Sequence, residues 1–395
     1  MDILHLIMAR SDQITVSQIM KTCHSLNREG VKYLLHSIPT LWTVSQALSF
    51  LQFALPIRQS VDCPHRLQYI DGLRLMLYLE TEVEMVANVL KPFFVYVAPL
   101  APNFSHLEID LAEQFFSVDH ELSASIASLK TLKSLTVDDA GDKTVMMLRA
   151  LQSSLTKVEV HFDLDVGPSA REDRDPLSYL HRSLETLRCI SLRSSISSPT
   201  PVACYRNVRI LTLNYVDIPT TRHFVQAFPN LQCLHATECK SIHDPDPDAA
   251  VERQRNLNVA EQARDGSWSG MMSYKGSIFI LYVLGLGCQV SHIYVHDDDR
   301  DGHGMEPRQI RAVLGDTRPL HLTIMVYGVE YFLALAHDFL ELSRSREFKM
   351  LASLSLEFQL WRGSWNADME GLMVRCTIPA GACSLASGSD DLPRI

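Results

Sequence analysis

Asp297, Asp299, Asp301 and Gly302 stand at the D-x-D-x-D-G spacing that opens an EF-hand calcium loop. That loop needs a bidentate Glu at its twelfth position, where this chain has Arg308. Glu306 comes two residues early, and Pro307 opposes the exiting helix. The run therefore reads as a solvated turn after a strand. His292, His296 and His303 crowd the same region, and on a strand the first two share a face. Zinc requires four ligands of suitable geometry, and no Cys pair stands close, so these read as surface histidines. Gly285-x-Gly287 lacks the third Gly and the following acid of a dinucleotide fingerprint. No G-x-x-x-x-G-K-[ST], G-x-S-x-G or H-E-x-x-H occurs. No catalytic residue, metal ligand or cofactor is assigned. Trp361 and Trp365 flank Arg362 and Gly363 near the end of the last strand pattern. They read either as a C-terminal cap over that strand's core or as an aromatic hot spot for a protein client. Trp42 reads as a seal between the N-terminal helical block and the first repeat.

The elements that would carry these residues are periodic. Val208, Leu211 and Leu213 form an L-x-x-L-x-L pattern, and Leu231, Leu234 and Ala236 repeat it 23 residues on. Between them Phe224, Val225 and Phe228 follow helical spacing, with Thr220 and Thr221 as caps. Similar triads begin at residues 70, 104, 132, 155, 187, 290, 317 and 351, and most intervals fall between 21 and 34 residues. A short strand, a turn and a helix at that period are the mark of a leucine-rich repeat. One such unit cannot bury its apolar face, so it must stack on neighbours. The 59-residue interval from 231 to 290 has room for a further repeat near Ser277. Stretches near 163–182, 240–269 and 297–307 break the pattern with charge, Pro or Gly and read as exposed insertions. Residues 376–395 read as a frayed tail.

Composition narrows the class. Of 395 residues 46 % are hydrophobic and 21 % charged, as in an ordinary globular protein. A net charge of −10 argues against nucleic acid as the main partner, since phosphate binding needs a basic surface. Nine scattered Cys without paired spacing imply reduced thiols in the cytoplasm or nucleus. The N-terminus lacks a basic region followed by an apolar run, so no signal peptide is expected. The most apolar stretch, residues 278–290, is shorter than the roughly 20 residues a membrane span requires and reads as buried helix or strand.

The first 38 residues form a separate helical block. Ile3, Leu4, Ile7 and Met8 share one helical face, and Val16, Ile19, Met20 and Cys23 share another. Thr15-x-x-Gln18 reads as a capping box for the second helix, and Ser25 as the cap of a third that carries Leu26, Tyr33 and Leu34. Residues 39–66 read as a linking helix and joint, opened by a second capping box, Thr43-x-x-Gln46.

The run from Met1 to Met8, the Ser11-Asp12 link and the run from Val16 to Leu26 resemble an F-box. The whole chain resembles in particular the fungal proteins in which an F-box precedes degenerate leucine-rich repeats. The fold expected is α/β: a short all-helical block, then an irregular solenoid over residues 67–375 with a parallel sheet on its concave side. The resemblance implies a substrate-receptor subunit of a Skp–cullin–F-box ubiquitin ligase that performs no chemistry itself. The Skp-type adaptor, and through it a cullin–RING ligase, would be met by Ile3, Leu4, Ile7, Met8, Val16, Ile19, Met20, Cys23 and Leu26. The repeats would hold a protein client, with no role for membrane or nucleic acid. Two other readings stand beside it. One is a repeat scaffold with no ligase link, its helical block a solenoid cap. The other is an enzyme built on the insertions, for which no motif speaks.

Overall fold

The computed structural model describes residues 2–35, 38–54, 67–162, 174–195, 203–215, 220–237, 247–296, 307–327, 345–360 and 372–379. The chain is α/β and divides into two compact units, Met1–Leu187 and Arg188–Ile395.

The first unit opens with helices α1 (Asp2–Arg10), α2 (Gln13–Met20) and α3 (His24–Leu34). Asp12, not Thr15, caps α2: its carboxylate accepts from the Thr15 amide at 2.8 Å, which holds it below the usual carboxylate range. The N-cap of α3 is Cys23 rather than Ser25. Helix α4 (Val44–Ala54) keeps the expected box, with Thr43 Oγ1 accepting from Gln46 N and Gln46 Oε1 accepting from Trp42 N. Five parallel strands follow one another in the sheet: β1 (Thr40–Leu41), β2 (Gly72–Leu75), β3 (His106–Ile109), β4 (Ser134–Ala140) and β5 (Lys157–Phe162).

Register explains the sequence period. Leu73, Leu107, Leu135 and Val158 lie side by side across β2–β5, as do Leu75, Ile109, Val137 and Val160. All eight are fully buried. Alternation sends the residues between them to the opposite face. The connecting helices are α5 (Glu80–Pro92), α6 (Ala112–Val118), α7 (His120–Ala127) and α8 (Asp142–Ala150). Pro92 ends the regular hydrogen bonding of α5, and a π-turn at Phe93–Val97 carries the chain on. The combined run Glu80–Leu100 is long and apolar enough to cross a membrane by length and composition. Here Val83, Val86, Leu90, Phe93, Phe94 and Val97 face the core. Phe93, Phe94 and Phe104 meet edge to face within 6.5 Å and continue into Phe115. Gly141 gives α8 no side-chain cap, and Glu113 replaces it by accepting from Lys143 N, Thr144 N and Thr144 Oγ1 at 2.9–3.1 Å.

The second unit has β6 (Cys189–Arg193), β7 (Ile210–Asn214), β8 (Cys233–Ala236), β9 (Met271–Ser277), β10 (Val290–His296), β11 (His321–Tyr327) and β12 (Ser353–Leu360), all parallel. The last strand, β13 (Leu372–Pro379), departs from the expected parallel sheet by running antiparallel to β12. It also takes residues 376–379 out of the expected frayed tail, because their backbone pairs with β12.

Three further expectations change in this unit. The core triad of β11 is Pro319, just before the strand, with Leu322 and Ile324 inside it, two residues later than the pattern placed it. Thr317 ends the helix α12 (Pro307–Thr317), its hydroxyl on Val313 O, and Leu320 is 43 % exposed. Pro307 starts that helix instead of opposing it, as its fixed φ and missing N–H allow at a first turn. The stretch 240–269 is not simply an exposed insertion, since it holds helix α10 (Pro247–Asp265), which packs against α9 (Thr221–Ala227) and α11 (Ile278–Leu284).

The C-terminal half of helix α10 inverts the usual pattern, although Ala250 and Val251 near its start are buried. Asn258 and Gln262 are buried, whereas Leu257 and Val259 are 45 % and 40 % exposed. The reason lies at the C-terminus of α11, whose last carbonyls have no partner within their own helix. Asn258 donates to Val283 O at 2.8 Å, Gln262 to Leu284 O and Gly285 O at 3.2 and 2.8 Å, and Thr221 Oγ1 to Leu284 O at 2.8 Å. Asn258 Oδ1 in turn accepts from Thr221 N at 2.9 Å.

Strand β9 fills the long interval between triads. Tyr274 takes a Leu position, fully buried, its hydroxyl donating to Ser277 O at 2.8 Å. The next core position is Gly276, at φ +152°, where a Cβ would lie 1.7 Å from Ala236 O. The part of the 163–182 stretch within the described residues, 174–182, is largely buried through Asp175, Leu177, Tyr179 and Leu180. The Asp297–Gly302 run, Trp361 and Trp365 lie outside the described residues.

Candidate functional site

The N-terminal helices divide their apolar residues between two environments. Met8, Val16, Met20 and Leu26 are 1–6 % exposed and form the block's own core. Met20 packs so closely on Gly30 that a Cβ there would meet Met20 Cγ at 2.2 Å. Ile3, Leu4 and Ile7 are 75 %, 39 % and 43 % exposed, joined by Leu6 and Ile14 at 62 % and 76 %. Ile19 is half-buried and Cys23 exposed. The nine residues expected to meet an adaptor thus do not share one surface. Four are spent inside, and Leu6 and Ile14, which helical periodicity alone did not select, join the outer set. His5 Nδ1 and Tyr33 Oη, 3.2 Å apart, tie α1 to α3. Trp42 is 37 % exposed and stacks on exposed Tyr78 at 5.3 Å, so it does not serve as a buried seal.

The sheet faces opposite the helices carry the polar residues. In the first unit each of three basic groups there meets a carboxylate: Arg74 Nε lies 2.9 Å from Glu108, Lys157 Nζ 2.7 Å from Glu159, and His161 hydrogen-bonds Asp138. Burial, then the charges of Asp138 and Glu108, push the Asp110 carboxyl up to about 6. Burial, with Arg74 adding to it, lowers His106.

The second unit's sheet face is different. A cleft of about 330 Å³ crosses it, lined by His235 on β8, Lys275 on β9, Tyr294 and His296 on β10, Met325 on β11 and Glu357 on β12. Register sets His235, Lys275 and Tyr294 in one row across adjacent strands. Among the described residues Lys275 has no ion-pair partner. Glu357 stands three strands away, in register with Arg375 of β13. Burial, and then the Lys275 charge, lower the His235 imidazole. One row over, the His292 and His321 rings stack at 4.4 Å, with His321 Nδ1 2.7 Å from Ser353 Oγ. His292 and His296 share this face as strand alternation predicts, but the partner of His292 is another imidazole. No group of three or more His, Cys, Asp or Glu side chains among the described residues is placed to hold a metal ion.

Sequence reasoning missed the cleft because one of its strands, β9, carries no aliphatic triad. Tyr274 and Gly276 stand where Leu would advertise a repeat. The available signal was the triad Met271-x-x-Tyr274-x-Gly276, which keeps the L-x-x-L-x-L frame with other residue types. No protein-family model matches this chain, and no curated protein does either.

Proposed function

We propose that this chain is the substrate-receptor subunit of a Skp–cullin–F-box type ubiquitin ligase. Its helical block docks on a Skp-type adaptor, and its leucine-rich-repeat-like units present a surface to a protein client. It performs no chemistry on this reading. It raises the local concentration of client near a conjugating enzyme supplied by other subunits, in the cytoplasm or nucleus. The observation that carries the reading is the outer face of α1 and α2. Ile3, Leu6 and Ile14 are 62–76 % exposed on a block whose core is already complete. Burying one such side chain contributes about 1.5–3 kcal/mol, so solvent exposure of several together calls for a partner.

The test is a binding assay between the purified chain and a Skp-type adaptor. Ile3→Asp combined with Ile7→Asp should abolish capture while leaving the circular dichroism and melting temperature unchanged, because both side chains are exposed. Met20 is unsuitable for this purpose, being packed on Gly30. A folded wild-type chain that fails to bind the adaptor would leave the second reading, a repeat scaffold without ligase association. The burial of Met8, Val16, Met20 and Leu26 favours that second reading, as it would serve a simple N-terminal cap.

A further inference from the structure

We propose that the cleft on the second unit's sheet face is a peptide-docking site that selects a protein segment carrying an Asp or Glu beside an apolar residue. This deepens the client half of the function proposed above and does not depend on adaptor docking. Three observations point the same way. The cleft is lined from β8 to β12, five adjacent strands. At about 4.8 Å per strand that is a span of roughly 19 Å, the length of about six extended residues at about 3.3 Å each. A segment of chain matches it better than a small molecule does.

The second observation is charge. The chain's net charge is −10, and in the first unit the sheet-face cations Arg74 and Lys157 are each neutralised by a carboxylate within 3 Å. Lys275 is not neutralised among the described residues. It is exposed, and its row neighbours are the half-buried His235 and the 41 % exposed Tyr294. Across the cleft His296 and Glu357 are the other titratable groups, Glu357 opposite Arg375 in the strand register. The site therefore offers an ammonium at one end with an imidazole beside it.

The third observation is the apolar lining. Tyr294, in register beside Lys275, and Met325, two strands on, supply it, so a carboxylate followed by an aliphatic or aromatic side chain satisfies both.

Arrays of hexapeptides with Glu, Gln or Lys fixed at the third position and the other positions randomised would test this on the full chain. Glu peptides should bind at least about tenfold tighter than Gln peptides, as a charge-assisted hydrogen bond implies. Apolar residues should be enriched at the fourth position. Lys275→Ala should level Glu with Gln, and Lys275→Glu should turn the preference to Lys. Bound Glu peptide should raise the His235 titration midpoint measured by NMR, and Gln peptide should not. Absence of binding by all three arrays, equal binding, or competition by free N-acetylglutamate as effective as the best peptide would each overturn the proposal. Adaptor capture by Lys275→Glu should be unchanged, so a failure here and a failure of adaptor docking are read separately.

Discussion

Asn258 offers the sharpest test of how the second unit is held together. Its side chain is fully buried and bridges two elements, accepting from Thr221 N at 2.9 Å and donating to Val283 O at 2.8 Å. Asn258→Ala deletes these two bonds, and a longer one of 3.4 Å from Gln254 Nε2, and strips the buried Thr221 amide and the Val283 carbonyl of their side-chain partner. Each such orphan costs about 1–3 kcal/mol, so the pair predicts a loss of about 2–6 kcal/mol, offset by roughly 0.6 kcal/mol from the better helix propensity of Ala. Asn256 lies two residues away on the same helix and is exposed. Asn256→Ala receives the propensity gain without the loss and should be neutral or slightly stabilising. Urea unfolding of the two variants, with hydrogen exchange at the Thr221 amide, separates the terms. The Thr221 amide should lose protection in Asn258→Ala alone. Equal midpoints for the two variants would refute the reasoning and return α10 to the status of a surface appendage.

Two further outcomes concern ionisable groups, one fully buried and one half-buried. His223 is fully buried with neither ring nitrogen hydrogen-bonded among the described residues, and burial pushes its imidazole down from 6.5 to about 4. A folded-state value below the unfolded one means stability is complete above about pH 6.5 and falls as pH drops toward 4, by up to about 3 kcal/mol. His223→Leu should flatten that limb of a pH–stability curve, and an unchanged curve would refute the assignment. Asp110 behaves oppositely. Its carboxyl is raised to about 6, so the folded state holds the proton more tightly and stability declines as pH rises from about 4 to 6. Asp110→Asn should therefore stabilise the chain at pH 7 by about 1 kcal/mol after allowance for solvent screening, measured as a rise in urea midpoint that vanishes near pH 4.

The strands were legible because a stacked parallel sheet imposes a local rule. Each repeat must bury two residues spaced by two, and Leu107 with Ile109 obeys that rule without reference to any other part of the chain. Helix α5 obeys a local rule of its own, burying Val83, Val86 and Leu90 at helical spacing. Where two layers share space, the local rule fails. The Ala236 carbonyl lies so close to Gly276 that no Cβ fits there, and a strand with Tyr274 and Gly276 at its core positions carries no aliphatic signature. The slip from Leu320 to Leu322 has a similar origin, since the length of α12 decided which Leu entered the core.

What the sequence by itself determined is the repetition: short-range periodicity obliges strand, turn and helix to recur, because no single unit can bury its apolar face. What only the tertiary structure decided is which polar residues go inside and which apolar ones stay out. Asn258 and Gln262 are interior because α11 ends where it does, leaving carbonyls that need donors. Ile3, Leu6 and Ile14 are exterior because Met8, Val16, Met20 and Leu26 already fill the space between three short helices. The cleft around Lys275 exists because strand register sets side chains from five separate strands in neighbouring rows. Those outcomes depend on contacts between residues far apart in the chain, and periodicity within one segment carries no information about them.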